Sequence, residues 1–448
     1  MSIKIFHTSL MLLLASNVSV AKVSQDQAAK LANELTPIGA QVSGNKSGSI
    51  PAYSGGLSAD EEVDSLTNIY ADELPLFTIT SKNVKQYQAN LSDGQLALFK
   101  KYPDTYKMPI YQTHRTAAYP QYVYDKAMAN ATTTQLVDGG AGLTGFDETV
   151  PFALPQNGLE VVWNHVSRYR GGSVERNSAL LSVQKNGEFM PVKIRGLMTP
   201  PQYLSDGYDG ERDENILFYF VEMIKSPTRY TGNVFLVHET IDQLKQPRKA
   251  WAYNAGQRRV RRAPQVAYDA PAQGTEGLRT TDQLDMFNGA PDRYNWQLEG
   301  KKEVYIPYNA YKMADPTVKY ENMVNAGHIN QDHTRYELHR VWQVTATLKD
   351  DARHVYAKRT FYVDEDSWQI VLADHYDNRG ELWRTSEGHS LQFVNAKTTW
   401  YVALTHYDLI SGRYIANLSN EERNAFEFNS VMGHGNFTTG AIRRLGKL

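Results

Sequence analysis

Apolar and polar side chains alternate along much of the last two thirds of the chain, and this period of two constrains the fold more than any other feature. The clearest case runs from Tyr336 to Leu348, where every second position belongs to one face. Successive side chains of a strand point to opposite faces, so the pattern predicts a β-strand. Turn sequences follow at 349–351, 364–367 and 377–380. Together these features predict an antiparallel meander of roughly a dozen strands.

A hairpin is predicted upstream of the meander. Asn186-Gly187 separates two short alternating segments, and this dipeptide tolerates positive φ at both central positions of a tight turn. The stretches 215–224 and 233–238 carry apolar residues on both sides of the alternation. We expect them to be strands that are covered on both faces.

Capping signals predict helices in the first third of the chain. Ser24 opens a capping box, and the helix that it begins is expected to extend to about Leu35. Further helices are predicted to begin at Ser81, Ser92 and Asn157. Each has one apolar face, so each needs a sheet to cover.

The first 21 residues have the features of a removable export signal. Lys4 precedes a short apolar run, and Ser19 and Ala21 frame a cleavage site, so the mature chain is predicted to begin near Lys22. The apolar run is shorter than the ~20 residues that a membrane-spanning helix needs. The chain contains no cysteine, which excludes both disulfides and a lipidated cysteine. These features predict a soluble periplasmic protein that is not lipidated and has no integral membrane segment.

Composition narrows the class of partner. The formal charge of −2 lacks the basic excess that is typical of nucleic-acid-binding proteins. The chain has 28 Tyr and 7 Trp, and such residues favour strands and apolar binding surfaces. A β-rich protein with a cavity, and not a nucleic-acid binder, fits this composition.

The sequence contains none of the common catalytic motifs: no nucleophile elbow, no zinc-protease helix, no phosphate-binding loop and no cysteine nucleophile. His328, His333 and His339 are the nearest approach to a metal cluster, but they fall across a loop and a strand without a shared face. We therefore predict a protein that is not an enzyme and that has neither a cofactor nor a metal site.

Two groups of acidic residues are close enough in sequence to be candidates for acid/base catalysis. Asp364, Glu365 and Asp366 lie in a predicted tight turn, where carboxylates usually accept hydrogen bonds from backbone amides. Asp374, His375 and Asp377 form the second group, and alternation puts His375 on the opposite face of the predicted strand from Asp374. Neither group predicts an acid/base site.

The densest positive charge lies between Lys245 and Arg262, a stretch without acidic residues. One interpretation is a patch that faces anionic lipid headgroups or an acidic partner, and the other is a solvated hairpin. Trp251 and Tyr253 lie beside this charge. The candidate patch residues are Arg258, Arg259, Arg261 and Arg262.

Alternation also selects large apolar side chains that would point inward from a curved sheet. The same pattern is found in an ordinary core and in the wall of a ligand cavity, and only the presence of an empty space distinguishes the cavity. The candidates for cavity lining are Phe218, Phe220, Trp251, Trp342, Phe361 and Trp383.

Six separated motifs, in this order, resemble the proteobacterial domain-of-unknown-function family 1329, whose members are similar to outer-membrane lipoprotein-sorting proteins. The resemblance spans almost the whole mature chain. Its motifs lie at 71–80, 102–106, 114–120, 155–160, 257–264 and 361–366.

The resemblance implies a fold like that of the lipoprotein carriers LolA and LolB. We therefore expect a mainly β, α+β protein: a half-open, curved antiparallel β-barrel with helices packed on its concave side. Residues 22–155 are expected to form a helical and loop-rich extension, and residues 156–448 the LolA-like domain, which is either separate from that extension or continuous with it. The resemblance also implies that the protein acts between an exporter of the RND type in the inner membrane and an outer-membrane protein.

The function predicted from these observations is non-covalent carriage of a lipid or another hydrophobic or amphipathic small molecule. Two alternatives stay open on sequence alone. One is an envelope enzyme that acts on lipid or glycan, and the other is a non-catalytic assembly partner of an outer-membrane protein.

Overall fold

A large antiparallel sheet dominates the protein. The structure, a computed structural model, describes residues 23–57, 66–263 and 268–447, so the predicted export signal lies outside the described residues. The helices in these ranges are α1 (Gln25–Ala28), α2 (Asp93–Lys101), α3 (Gln121–Thr133), α4 (Gly158–Ser167), α5 (Gly210–Asp213), α6 (Tyr320–Met323) and α7 (Thr439–Leu445). The strands of the first half are β1 (Phe77–Ile79), β2 (Met108–Ile110), β3 (Gln135–Val137), β4 (Gly142–Thr144), β5 (Val174–Val183), β6 (Pro191–Thr199), β7 (Ile216–Ser226), β8 (Val234–Thr240), β9 (Lys249–Asn254) and β10 (Arg259–Arg262). Those of the second half are β11 (Tyr294–Pro307), β12 (Tyr336–Leu348), β13 (Lys358–Asp364), β14 (Ile370–Tyr376), β15 (Leu382–Phe393), β16 (Thr398–Asp408), β17 (Tyr414–Leu418) and β18 (Phe426–Phe428).

Sixteen of these strands form one sheet, in the order β1-β2-β12-β13-β14-β15-β16-β17-β5-β6-β7-β8-β9-β10. β11 also pairs with β12, and β18 also pairs with β5. Every pairing is antiparallel except a single parallel contact between Tyr336 and Ile110. Within the described residues β1 and β10 end the path without meeting, so the sheet does not close. The predicted mainly β fold with an open antiparallel sheet is confirmed.

The hairpin between β5 and β6 turns where the sequence predicts, but with a different backbone. Gly187 has a φ of 90°, whereas Asn186 is not among the residues with positive φ. The backbone amide of Gly187 donates to the carbonyl of Gln184 at 2.9 Å, and that of Gln184 donates to the carbonyl of Glu188 at 2.8 Å. The loop therefore needs glycine at one position only.

The capping signals locate helix starts better than helix lengths. Ser24, Ser92 and Asn157 each accept a backbone hydrogen bond in the first turn of α1, α2 and α4, as predicted. α1 ends at Ala28, well before Leu35. The region after Ser81 forms two short 3₁₀ turns. α3 follows Pro120, which offers no side-chain cap, and was not predicted.

The stretches on either side of residue 155 share one hydrophobic core. Ile38, Leu98 and Val123 from the first third belong to the same buried cluster as Trp368 from the turn before β14. The indole Nε1 of Trp368 donates to the carbonyl of Ile38 at 2.9 Å. The first third thus packs onto the sheet. Among the described residues no helix has both the length and the apolar character needed to cross a bilayer.

Candidate ligand-binding site

Two adjoining cavities lie against one face of the sheet. The first, here called the β5–β7 cavity, has a volume of about 850 Å³ including the part open to solvent. The second, the β7–β8 cavity, measures about 760 Å³ on the same basis. The two share the side chains of Phe218, Phe220, Glu222, Arg279 and Leu284.

Alternation along the strands supplies the floor of both cavities. Phe218, Phe220 and Glu222 occupy every second position of β7, so all three side chains point to the same face. Apolar groups dominate the wall of the β5–β7 cavity, and they come from four strands and one loop. They are Val174, Leu180, Ile194, Met198, Phe218, Phe220, Leu284, Trp400 and Leu404.

An irregular segment between the β9–β10 hairpin and β11 forms the opposite wall. We call residues 268–293 the cover segment. Arg279 and Leu284 from this segment line both cavities, Asp285 and Asn288 line the β5–β7 cavity, and Pro271 lines the β7–β8 cavity. The cover segment therefore closes a space that the sheet alone would leave open.

Asp282 is one buried anchor of the cover segment. It accepts hydrogen bonds from the guanidinium of Arg359 at 2.7 Å and from His354 at 3.2 Å. Burial raises the pKa of Asp282, but the charge of Arg359 and the hydrogen bonds from His354 and Thr280 together outweigh it and hold the pKa well below its usual range. Beside this anchor, Gln283 contacts His375 at 2.9 Å.

Asp285 is the second anchor. Arg168, which follows α4, donates to both carboxylate oxygens at 2.8 and 2.9 Å, and Arg170 donates at 2.8 Å. Burial raises the pKa of Asp285, yet the two arginines together hold it well below the ordinary value. One carboxylate thus pairs with two guanidinium groups at the edge of the cavity.

A row of charged side chains crosses the floor of the β5–β7 cavity. Gly196 of β6 is paired with Arg176 of β5 on one side and with Glu222 of β7 on the other. Gly196 lacks a side chain, so a gap separates the two charged groups. A Cβ at Gly196 would lie 3.6 Å from the ring of Phe220, an ordinary contact distance.

Two arginines of this cavity, Arg176 and Arg279, have buried N–H groups without hydrogen-bond partners among the described residues. The Nε and Nη2 atoms of Arg176 are buried and make no hydrogen bond within the described residues, and the same holds for Nε of Arg279. Arg279 is only 8% exposed. Burial lowers the pKa of Arg279, and it lowers that of Arg176 to about 10. Burial also raises the pKa of Glu222, against the opposing effect of the two arginines.

Comparison with known proteins identifies the family. A sequence model described as "Protein of unknown function (DUF1329)" matches residues 78–443. The chain belongs to the DUF1329 family. This confirms the resemblance found in the sequence. The DUF1329 chain is also 55% identical over 449 residues to an uncharacterized protein of Pseudomonas aeruginosa, covering 99% of this chain and 98% of that one.

Solved structures overlap with part of the DUF1329 chain. A putative outer membrane lipoprotein-sorting protein domain from Vibrio parahaemolyticus aligns with a TM-score of 0.44 at 14% identity, over 64% of this chain and 98% of that one. A DUF1329 family protein from Desulfovibrio piger aligns at 0.42 and 14%, over 60% and 92%. A LolA superfamily protein from Nitrosomonas europaea aligns at 0.39 and 12%, over 64% and 99%.

Two of the six predicted cavity residues, Phe218 and Phe220, line both cavities of the DUF1329 protein. The other four lie elsewhere. Trp251 packs on His238, Trp342 stacks on Trp368 with ring centres 6.2 Å apart, Phe361 is fully buried against Phe287, and the indole of Trp383 donates to Asp408 at 3.0 Å. Contact between any of the six and a ligand remains a prediction.

The arginine patch lies at one end of the sheet, remote in sequence from the cavity floor. Arg259, Arg261 and Arg262 are exposed on β10, which ends the strand path, and Arg258 is exposed in the turn before it. Cationic side chains on an end strand also discourage edge-to-edge pairing. A role in contacting anions or a partner remains a prediction.

The three histidines considered as metal ligands do not share hydrogen-bond partners within the described residues. His328 contacts Thr105 at 3.0 Å, and His339 contacts Glu337 at 3.2 Å. His339 instead lies near Asp364 and Asp366. All three residues are buried, and a ring nitrogen of His339 and one carboxylate oxygen of each aspartate lie within 4.8 Å of one another. Arg115 occupies both oxygens of Asp366, at 2.6 and 2.8 Å, so that carboxylate is already neutralised.

The carboxylates considered as catalytic candidates accept hydrogen bonds from neighbouring protein groups. Asp364 accepts from the backbone amide of Ser367 at 3.0 Å, as expected for a turn. Asp374 accepts from Thr385 at 2.8 Å, while His375 contacts Gln283 of the cover segment. Asp374 and His375 therefore lie on opposite faces, as alternation predicts.

Sequence reasoning missed the charged residues of the cavity. Glu222 interrupts the apolar face of β7 that Phe218 and Phe220 share, and this interruption is the signal that could have revealed it. Arg176 lies in a polar stretch of β5 and gives no such signal. Arg279 and Asp285 lie in an irregular segment without periodicity. No pattern in the sequence indicates that this segment folds back over the sheet.

Proposed function

We propose that this DUF1329 protein binds a lipid or another apolar or amphipathic small molecule in the adjoining β5–β7 and β7–β8 cavities. The observation that carries this proposal is the largely apolar space enclosed between β5–β8 and the cover segment. Its volume of about 850 Å³ falls within the roughly 300–1,000 Å³ of small-molecule sites. The binding is non-covalent, and burial of apolar surface provides the driving force.

The construction of the cover segment supports a carrier. Its two anchors, Asp282 and Asp285, are held by buried ion pairs rather than by an extended strand pairing. Opening of this segment would separate the ion pairs and expose Met286 and Phe287, but it would leave the ladder beneath it intact. A carrier needs this property, because its ligand must enter and leave.

Filling the cavity provides the test. Gly196→Leu places a branched side chain on the floor of the β5–β7 cavity, where the first added carbon meets no backbone atom closer than 3.8 Å. The purified chain should retain a co-purifying lipid detectable by mass spectrometry and should take up a neutral fluorescent naphthylamine dye. The Gly196→Leu variant should lose about tenfold or more in dye affinity.

Gly210→Leu is the matched control, because Gly210 is exposed at the start of α5 with its nearest neighbour 4.0 Å away. It should bind dye like the parent chain. Absence of both lipid and dye uptake in the parent chain would refute the proposal, as would equal affinity in the two leucine variants when both melt at similar temperatures.

We also propose that the protein acts in the periplasm, delivering its cargo between an exporter of the RND type and an outer-membrane protein. The export-signal pattern of residues 1–21 and the absence of cysteine support this location. Cell fractionation should find the processed chain in the periplasmic fraction. Crosslinking there should capture transient contacts with membrane proteins of both membranes, whereas a stoichiometric complex with one of them would favour an assembly factor.

A further inference from the structure

We infer that the β5–β7 cavity recognises an amphiphile with an anionic headgroup, a carboxylate or a phosphate, through Arg176 and Arg279. This inference rests on the proposed function and adds the chemical class of the ligand. The headgroup would lie beside the gap at Gly196, and the alkyl chain would extend along Phe218 and Phe220.

The first support is the geometry of the floor. Arg176, Gly196 and Glu222 are aligned by strand register on three neighbouring strands. Strands lie roughly 5 Å apart, so the two charged side chains begin about 10 Å from each other with only a glycine between them. Arg279 of the cover segment faces the same space from above. The guanidinium groups of Arg176 and Arg279 therefore border the same cavity.

The second support is the state of these arginines. Guanidinium groups carry five N–H donors, and buried donors without acceptors are costly. Arg279 is 8% exposed, yet its Nε has no hydrogen-bond partner within the described residues. Nε and Nη2 of Arg176 also have no hydrogen-bond partner within the described residues. Its guanidinium lies 5.2 Å from the ring of Phe426, which is a cation–π contact and does not supply an acceptor for those N–H groups. An anionic ligand would provide the missing acceptors.

The third support is the charge balance. Four arginines around the cavity, namely Arg168, Arg170, Arg176 and Arg279, act electrostatically on one another and on two carboxylates, Asp285 and Glu222. Asp285 is engaged by Arg168 and Arg170. Glu222 acts on both Arg176 and Arg279, and Asp285 also acts on Arg176, so two carboxylates face four guanidinium groups. Uncompensated buried positive charge is unfavourable, and a bound anion offsets it.

Arginine also suits this class of headgroup. Its planar fork matches the two oxygens of a carboxylate or a phosphate, and such charge-assisted pairs are stronger than neutral hydrogen bonds. The surrounding wall is apolar, so the low dielectric increases the preference for an anion over a neutral polar group.

Competition with three ligands of equal chain length tests the inference. A bound neutral naphthylamine dye would be displaced at pH 8 by laurate, dodecyl phosphate or dodecanol. At least one of the two anions should compete at a concentration about tenfold or more below that of dodecanol, as one or two charged hydrogen bonds would provide. The better competitor of the two anions identifies the headgroup as carboxylate or phosphate.

Variants locate the effect. Arg279→Gln and Arg176→Gln should lose most of the anion preference, measured in each variant as the ratio of its affinity for laurate or dodecyl phosphate to its own affinity for dodecanol. Arg279→Lys should retain part of it, because the charge stays. Glu222→Gln should strengthen anion binding, since it removes the opposing carboxylate. Arg229→Gln, exposed in the turn between β7 and β8, should leave all affinities unchanged.

The outcomes separate this inference from the proposed function. Equal competition by dodecanol and both anions in the parent chain would overturn the anionic headgroup while leaving an apolar binding site. An anion preference that survived in both glutamine variants, with unchanged melting temperatures, would also overturn it. Failure of the parent chain to bind dye at all would reject the proposed function itself.

Discussion

Asp285 of the cover segment pairs with two buried guanidinium groups. Its carboxylate accepts from Arg168 and Arg170 at 2.8–2.9 Å. Asp285→Asn would leave two positive charges without a counter-charge. We expect the free energy of unfolding to fall by about 3–5 kcal/mol, measured by urea denaturation.

Asp104→Asn is the control for this change, because Asp104 is exposed in a turn. It should alter the free energy of unfolding by less than about 0.5 kcal/mol. A similarly small effect of Asp285→Asn would mean that Arg168 and Arg170 do not depend on this carboxylate.

Glu387 titrates far from its ordinary range. It is fully buried, with the hydroxyl of Tyr336 at 3.1 Å, and burial raises its pKa to about 7 from 4.5. The folded chain therefore holds a proton that the unfolded chain releases between about pH 4.5 and pH 7. Glu387 thus lowers the stability of the parent chain as pH rises through this window, by about 3 kcal/mol in total.

Glu387→Gln mimics the protonated acid and removes this dependence. Relative to the parent chain, the variant should become progressively more stable from pH 4.5 to pH 7 and then keep a constant advantage, measured by urea denaturation at several pH values. Glu188→Gln, exposed in the β5–β6 hairpin, should follow the parent chain at every pH. If the free energies of unfolding of Glu387→Gln and the parent chain changed in parallel with pH, the raised pKa of Glu387 would be contradicted.

Individual residues differ in how far the sequence reveals them. Phe218 and Phe220 were predicted as cavity residues because alternation fixes the face of a strand to which each side chain points. Trp342 and Phe361 satisfy the same pattern, yet they pack on Trp368 and Phe287. Alternation identifies a covered face, but the packing of other elements decides whether the cover leaves a void.

Among the elements, the β5–β6 hairpin depends on one glycine. Gly187 has a φ of 90°, a conformation that L-residues rarely adopt. Gly187→Ala would force alanine into the left-handed region and place its Cβ 3.3 Å from the backbone nitrogen of Ala326. We expect a loss of about 1–2 kcal/mol in the free energy of unfolding, measured by urea denaturation.

Gly210→Ala provides the comparison, since Gly210 begins α5 without a positive φ. Alanine there should be neutral or slightly stabilising. If Gly187→Ala were equally harmless, the hairpin would have to reach its turn through a different backbone conformation.

Strands were predicted more reliably than helices, for a physical reason. β12 spans the predicted residues 336–348, because a long alternation is hard to accommodate in any other structure. α1 stops after four residues, since tertiary packing rather than the capping box decides how far a helix continues. The cover segment has neither alternation nor helical period. Its position over the sheet depends on Asp282 and Asp285, whose partners lie far away in sequence.

For the whole molecule, the first third is the part that the sequence describes least well. Its short helices and loops carry few periodic signals, yet their side chains enter the main core. Arg115 illustrates the connection: it donates to both oxygens of Asp366 and, at 2.7 Å, to the carbonyl of Gln41. Contacts of this kind join residues about 250 positions apart, and a single sequence gives no local signal for them.

These contacts predict that residues 22–155 and 156–448 unfold as one unit. In urea, the fluorescence of the tryptophans and the far-ultraviolet circular dichroism should change with one midpoint. Arg115→Lys removes the planar fork that Asp366 requires, so it should lower both midpoints together. Lys107→Arg, half-exposed at an ion pair with Asp332, should leave them unchanged. The alternative outcome is two transitions, the earlier of which unfolds only the first third. If Arg115→Lys shifted that earlier transition and left the later one unchanged, residues 22–155 would be a separable extension.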